Sequence, residues 1–522
     1  MLSDLYVMKV DAKKELDNMN SNESIDRFKE SILVPEGISI DSLLDGNRYF
    51  LIGEKGAGKT ALLIYSALKA EELYEAEYNF IIFKEFSQEE REDYTALAHI
   101  TKYAQSEVAP CLEYDNVWFW LFHNTIVDTI KCSRKLIFVP NEDLETYISA
   151  VDAIKTYPRG SGKKMPIITK DGYVKADIDF PVGVVNTKLS GKISFERNPK
   201  RNEEIRFSTH INELNRLFSA LNAGDSLLFI VVDELNISRI NAEEYERDVI
   251  MIRDMVIAID RFNAMTKNAH DNVRIISSVR NEVVNSIKAR GKEINKTIES
   301  YGIPIDWTIY AQEDLKHPLI KLLINYFRIS DLMSGTAQDP DDHIEYNRWV
   351  EERIDGYPSE QMIRNITLYR PRHIVRLLNL SKTLCGNHSR ISGETIEIIK
   401  RRYSRECWNE VVEELVLSYS TNEMELIKEW LTGMPYETKY SEMYDKANAV
   451  WKGTPEGKRL LSRFDEILRD LYYYGVIGNI IRYSDNTIQQ RWYFRGDDSL
   501  LKNQKIIIHN IFAPVLSTTK PE

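Results

Sequence analysis

The sequence predicts an α/β protein built on a parallel sheet, followed by a helical lid and a C-terminal winged-helix domain. Three observations predict it. Residues 48–52 read as a short buried strand, 53–60 as a glycine-rich loop and 61–68 as the first turns of a helix. Residues 226–232 are apolar or small without interruption and close on Asp233-Glu234, a pattern that only a central parallel strand covered on both faces tolerates. From residue 317 onward helical periodicity dominates, ending in one helix expected over 457–474, until a hairpin pattern at 475–494.

The loop comes first in the chain. Phe50 to Thr60 reads FLIGEKGAGKT and fills every position of G-x-x-x-x-G-K-[ST]. A polyphosphate is gripped by backbone N–H groups at a helix N-terminus, so Gly53, Gly56 and Gly58 stand where a Cβ would obstruct or φ must be positive. Glu54, Lys55, Ala57 and Ala61 complete the cradle. Lys59 supplies a point charge for the β and γ phosphates, and Thr60 a hydroxyl for Mg²⁺. The expected ligands are ATP and Mg²⁺, and the core is that of a P-loop NTPase. The string Gly160-Ser161-Gly162-Lys163 lacks the leading glycine and reads as a solvated loop.

Residues 78–83 are expected to form a second strand. The carboxylate strand then offers Asp233 for the Mg²⁺ shell and Glu234 as general base for the attacking water. Residues 273–278 predict a third strand beside it, with Ser278 placed to bond the water or the γ phosphate. Arg280 either stabilises transferred charge or pairs with a carboxylate. Residues 305–309 are expected to form the fifth strand.

This motif order resembles the AAA+ and STAND branches of P-loop ATPases. The string 368–379, LYRPRHIVRLLN, is similar to the lid helix of the Orc/Cdc6, KAP and STAND groups. The resemblance implies ATP hydrolysis and an arginine, Arg370 or Arg372, reaching the nucleotide from the lid. Arg290 is the candidate for action in trans within a ring, or equally an exposed basic residue of the 288–292 stretch. The whole chain resembles bacterial ATPases with a terminal winged helix that are often encoded among phage-defence genes.

The gap between Lys59 and Asp233 exceeds what a compact core needs at about 30 residues per βαβ unit, so an insertion is expected near 85–205. Within it the aromatic stretch 118–122 reads as core, since no basic residues interleave to make a base-stacking platform. Residues 158–196 suggest a β-hairpin or loop. The expected division is an N-terminal helical arm at 1–40, the ATPase core at 41–315, the lid at 316–415 and the winged helix at 416–522. The stretch 406–420 is expected to join lid to winged helix. Residues 370–405 are rich in arginine and lysine, which leaves open a basic face or a lid surface aiming one or two arginines at ATP.

A net charge of −12 argues against indiscriminate coating of nucleic acid. Local binding of DNA through the winged helix stays open, as do a protein partner and self-association. The four cysteines lack metal spacing. No apolar run reaches the roughly 18 residues of a membrane span, and Met1 to Leu5 lacks a charged n-region, so a cytoplasmic protein without membrane contact is expected. An ATP-hydrolysing switch is the primary reading; a DNA-binding initiator or loader and a non-hydrolysing ATP-dependent scaffold are the alternatives.

Overall fold

A computed structural model describes residues 1–100, 113–155, 167–168, 174–175, 207–235, 237, 242–288, 294–308, 314–416, 418–485 and 487–519. Five parallel strands form the central sheet: β1 (Phe50–Gly53), β2 (Glu77–Ile82), β3 (Leu228–Asp233), β4 (Val273–Arg280) and β5 (Gly302–Pro304). Their spatial order is β2-β3-β4-β1-β5. The P-loop strand therefore lies between the polar-ended strand and the last one, and β3 is covered on both sides.

Alternation along β3 divides the interior. Phe229 and Val231 join one core cluster, while Leu228, Ile230 and Val232 join another on the opposite face. Helix α1 (Lys59–Tyr74) packs beneath the first face, together with the N-terminal segment and the lid. Helices α2 (Asp115–Cys132), α3 (Phe207–Ser219) and α4 (Ala242–Ala269) close the second.

That second face accounts for the long gap before Asp233. Helix α2 packs on β2 and β3, so part of the expected insertion is the sheet's own cover. Its aromatics are core, as their spacing indicates: Trp118, Trp120 and Phe122 are buried, and Trp118 Nε1 donates to Met251 O at 2.8 Å. Within the expected hairpin region, Ile167–Ile168 and Val174–Lys175 pair antiparallel. The Gly160-Ser161-Gly162-Lys163 string and Arg290 lie outside the described residues.

The fifth strand corrects the sequence expectation. It occupies Gly302–Pro304 rather than 305–309. Ile305 N still donates to Ile52 O at 2.7 Å, but Trp307 turns inward and its Nε1 donates to Ala57 O at 2.9 Å. The indole thus braces the phosphate-binding loop instead of extending the sheet.

The lid consists of α5 (Pro318–Met333), α6 (Ser359–Ile366), α7 (Pro371–Leu384) and α8 (Gly393–Leu415), with a short helix at Asp342–Trp349. Pro371 sits at N1 of α7, where its missing N–H costs nothing and φ is already helical. The N-terminal segment straps this lid: Leu2 N donates to His388 O at 2.8 Å, Tyr6 N to Ser330 Oγ at 2.7 Å and Lys382 Nζ to Leu5 O at 2.7 Å.

Helix α8 continues through Leu415, so most of the expected 406–420 connection is rigid helix. Beyond it come α9 (Thr421–Leu431), β6 (Glu437–Thr438), α10 (Tyr440–Trp451), α11 (Pro455–Ser462), α12 (Phe464–Tyr473), β7 (Ile477–Arg482), β8 (Ile488–Arg491) and β9 (Lys505–Ile508). The antiparallel sheet runs β6-β9-β7-β8. Trp430, Trp451 and Phe464 meet edge to face where α9, α10 and α12 pack together. The single helix expected over 457–474 is broken at Arg463, whose guanidinium bonds Glu466 at 2.8 Å and Ser418 O at 3.2 Å.

Candidate functional site

The predicted loop residues converge at the C-terminal end of β1. Gly56 and Gly58 adopt φ of +81° and +87°, the left-handed values that favour glycine. A Cβ on Gly53 would stand 3.3 Å from Ile305 Cβ. Lys59 opens helix α1 and is only 8% exposed. Its ammonium donates to Gly53 O at 2.9 Å and Glu54 O at 2.7 Å, curling back over the loop.

Burial, with the Arg280 charge adding to it, pulls the Lys59 pKa down to about 8. A lysine in an empty cradle loses its proton as pH rises through about 8, whereas a bound polyphosphate favours the charged form. ATP affinity should therefore be full below pH 8 and fall about tenfold by pH 9, with proton uptake on binding. Calorimetric titrations at pH 7 and pH 9, in buffers of different ionisation enthalpy, measure this. Equal affinity with no proton uptake would contradict it.

Three side chains from three elements meet beside Lys59. Thr60 Oγ1 donates to Asp233 Oδ2 at 2.7 Å, and the Ser278 hydroxyl donates to Asp233 Oδ1. Asp233 ends β3 and is 2% exposed. A hydroxyl and a carboxylate, both hard oxygen donors, side by side at the rim of the cradle are a donor set that suits Mg²⁺. Ser278 thus holds the acidic residue, rather than standing free towards a water.

Glu234 follows in the left-handed region at φ +56°, a conformation costing a non-glycine residue roughly 1–2 kcal/mol. Strain of this kind concentrates at functional positions. The Glu234 carboxylate lies 3.9 Å from Lys84 Nζ.

The lid closes the site from the other side. Arg372 N donates to Gly56 O at 3.3 Å, so the first turn of α7 docks on the phosphate loop itself. Arg370 is 8% exposed and its Nη2 donates to Glu54 Oε2 at 3.1 Å. Arg372 Nη1 bonds Glu410 Oε1 at 3.2 Å, and Arg376 Nη1 reaches Glu410 Oε2 at 2.8 Å. Both candidates for the arginine that reaches the nucleotide therefore lie at the cradle, while Arg376 is turned inward to a carboxylate. The basic stretch forms no open face at these positions.

Arg280, at the end of β4, takes the paired role. It bonds Glu414 at 3.1 and 3.2 Å and lies 3.6 Å from Glu282. Lys55 Nζ reaches the same Glu414 at 2.5 Å. Burial alone would raise the Glu414 carboxyl, but Arg280 and Lys55 outweigh it and hold the pKa below its ordinary value. Glu410 is held lower still: burial is outweighed by His373 and by Arg372 and Arg376. Since burial keeps the His373 pKa at about 4, the balancing charge at neutral pH comes from the two arginines.

The C-terminal domain also reaches the site. Tyr473, the last residue of α12, donates to Glu282 Oε2 at 2.9 Å. Burial, then the charges of Glu282 and Glu54, drives its phenol far above the usual tyrosine pKa. Glu282, Glu410, Glu414, Trp307 and Tyr473 escaped the sequence reading. The only signal was the spacing of Glu406, Glu410 and Glu414, one turn apart on α8.

Fold and site together define a P-loop NTPase core closed by a helical lid. A family described as "FunZ-associated C-terminal helical domain" matches residues 321–412, the stretch from early α5 to near the end of α8. No curated protein matches the sequence. Eighteen solved chains match. Among them is the structure titled "Crystal structure of Cdc6p from Pyrobaculum aerophilum", 11% identical, with 95% of this chain and 93% of that one covered and a TM-score of 0.31. Among the described residues no helix is long and apolar enough to cross a membrane.

Proposed function

We propose that this chain is an ATP-binding and ATP-hydrolysing switch of the AAA+/STAND type, in which nucleotide state sets the position of the lid and the C-terminal domain. The observation that carries it is the convergence of Lys59, Thr60, Asp233 and Ser278 at the C-terminal ends of the strands, with α7 docked on Gly56.

Each group has a role. The loop N–H groups and Lys59 bind the β and γ phosphates. Thr60 and Asp233 would hold Mg²⁺, which would supply neutralising charge to the phosphate oxygens. Ser278 fixes the Asp233 rotamer. Glu234 orients water for attack on the γ phosphorus and accepts its proton. Arg370 and Arg372 report the γ phosphate to the lid. Tyr473 ties the C-terminal domain to the same cluster, so a change at the phosphate reaches that domain without a long relay.

The arginine pair supplies the test. The double variant Arg370→Ala/Arg372→Ala should keep ADP binding within a few-fold of the parent while losing ATP-dependent changes in protease sensitivity around residues 406–420. Limited proteolysis of the parent with ATP and with ADP provides the reference. Identical parental patterns in the two nucleotides would rule out the switch.

A DNA-loading role is less well supported. On α11 and α12 the exposed residues include Lys458, Arg459 and Arg469, but also Asp465 and Glu466, and Arg459 is paired with Glu423 at 3.2 Å. A protein partner suits this mixed surface better. A setting in anti-phage defence rests on the resemblance of the motifs alone. Scaffolding without turnover is disfavoured by the strained Glu234 directly after Asp233.

A further inference from the structure

Four cations around the cradle are already paired with two carboxylates of one helix. Lys55 and Arg280 share Glu414, while Arg372 and Arg376 share Glu410. These two carboxylates are 6% and 8% exposed and lie one turn apart on α8. Like charges at that spacing destabilise a helix, and a buried carboxylate costs several kcal/mol unless paired. Nothing within α8 requires them. What they meet are guanidinium and ammonium groups, whose donors match carboxylate and phosphate oxygens alike.

Resting on the reading of the cradle as an ATP site, we infer that Glu410 and Glu414 are internal substitutes for γ-phosphate oxygens, holding Lys55, Arg280 and Arg372 until the triphosphate takes those cations over. Placement supports the exchange. Lys55 belongs to the loop itself, Arg280 follows Ser278 by two residues, and a Cβ placed on Gly56 would stand 3.4 Å from Arg372 Cβ. When these cations turn to a phosphate, Glu410 and Glu414 lose compensation in a buried setting. Displacement of the C-terminal end of α8 relieves that cost.

The displacement would be felt beyond the lid. Trp408, on the same helix, packs edge to face on Phe512 of the C-terminal domain. Glu282, which shares Arg280 with Glu414, accepts the Tyr473 bond. The carboxylates therefore set nucleotide affinity and latch the C-terminal domain in one device.

The test is ATP and ADP titration calorimetry on the full chain, comparing the parent with Glu414→Gln, Glu410→Gln, Glu413→Gln and Lys59→Ala. Removing the competing carboxylate should tighten ATP binding about 5- to 150-fold in Glu414→Gln and Glu410→Gln, and less for ADP. Glu413, 70% exposed and 3.3 Å from Lys55, serves as the surface control and should change affinity less than about twofold. If a glutamine variant does not fold, Glu414→Asp keeps the charge but withdraws it by one methylene and should shift affinity the same way, less far. A parent that binds ATP through Lys59, with Glu414 and Glu410 variants that bind it no tighter, overturns this inference alone. A parent that binds no ATP overturns the site reading and the inference with it.

Discussion

Lys59→Ala should abolish useful ATP binding, weakening it about 10²- to 10³-fold, the scale for removing one partner of a desolvated charge pair. Lys59 is the cation at the first position of helix α1, is nearly inaccessible to solvent, and among the described residues bonds the carbonyls of Gly53 and Glu54. A methyl group returns none of that charge. The fold should survive, because those two carbonyl bonds stabilise only the loop. Equilibrium binding of a fluorescent ATP analogue, with circular dichroism as the folding control, decides it; unchanged affinity in a folded variant would sink the assignment of the cradle.

Glu234→Gln should separate binding from turnover. The amide preserves size and the left-handed turn at φ +56° but cannot accept a proton from water. Hydrolysis is expected to fall about 10²- to 10⁴-fold while ATP affinity stays within a few-fold of the parent. Phosphate release under single-turnover conditions gives the rate. A variant that hydrolyses ATP at the parental rate would reduce Glu234 to a strained strand-end residue.

Much of the site was legible because it is local. The run FLIGEKGAGKT carries its chemistry in consecutive residues, and the apolar 226–232 stretch announces a buried strand ending in acid; β3 follows at Leu228–Asp233. The pairing of Ser278 with Asp233 required knowing that β4 lies beside β3. Long-range charge pairing was not legible. Glu410 and Glu414 fall in the stretch expected only to join lid to winged helix, and the docking of α8 against the loop makes them partners of Lys55 and Arg372. The same docking explains why the basic stretch after Arg370 is not an open face.

The fifth strand was misplaced for a local reason. Gly302 and Pro304 are poor strand formers, so the β-branched stretch after them looked better; yet β5 is an edge strand paired only with β1, where proline is tolerated. The bulk of Trp307 serves the loop instead. In the C-terminal domain, nothing in the run 457–474 signals a break, since Arg463 leaves the helix for contacts with Ser418 and the Tyr419 ring, which are remote in sequence.

Hydrogen–deuterium exchange on full-length Glu234→Gln, saturated in turn with ATP and with ADP, tests the switch most directly. The account predicts that exchange will differ between the two nucleotides at the start of α7, at the end of α8 around Glu410 and Glu414, and at Tyr473. Differences confined to the phosphate-binding loop, with the lid and C-terminal domain exchanging identically in ATP and ADP, would contradict it.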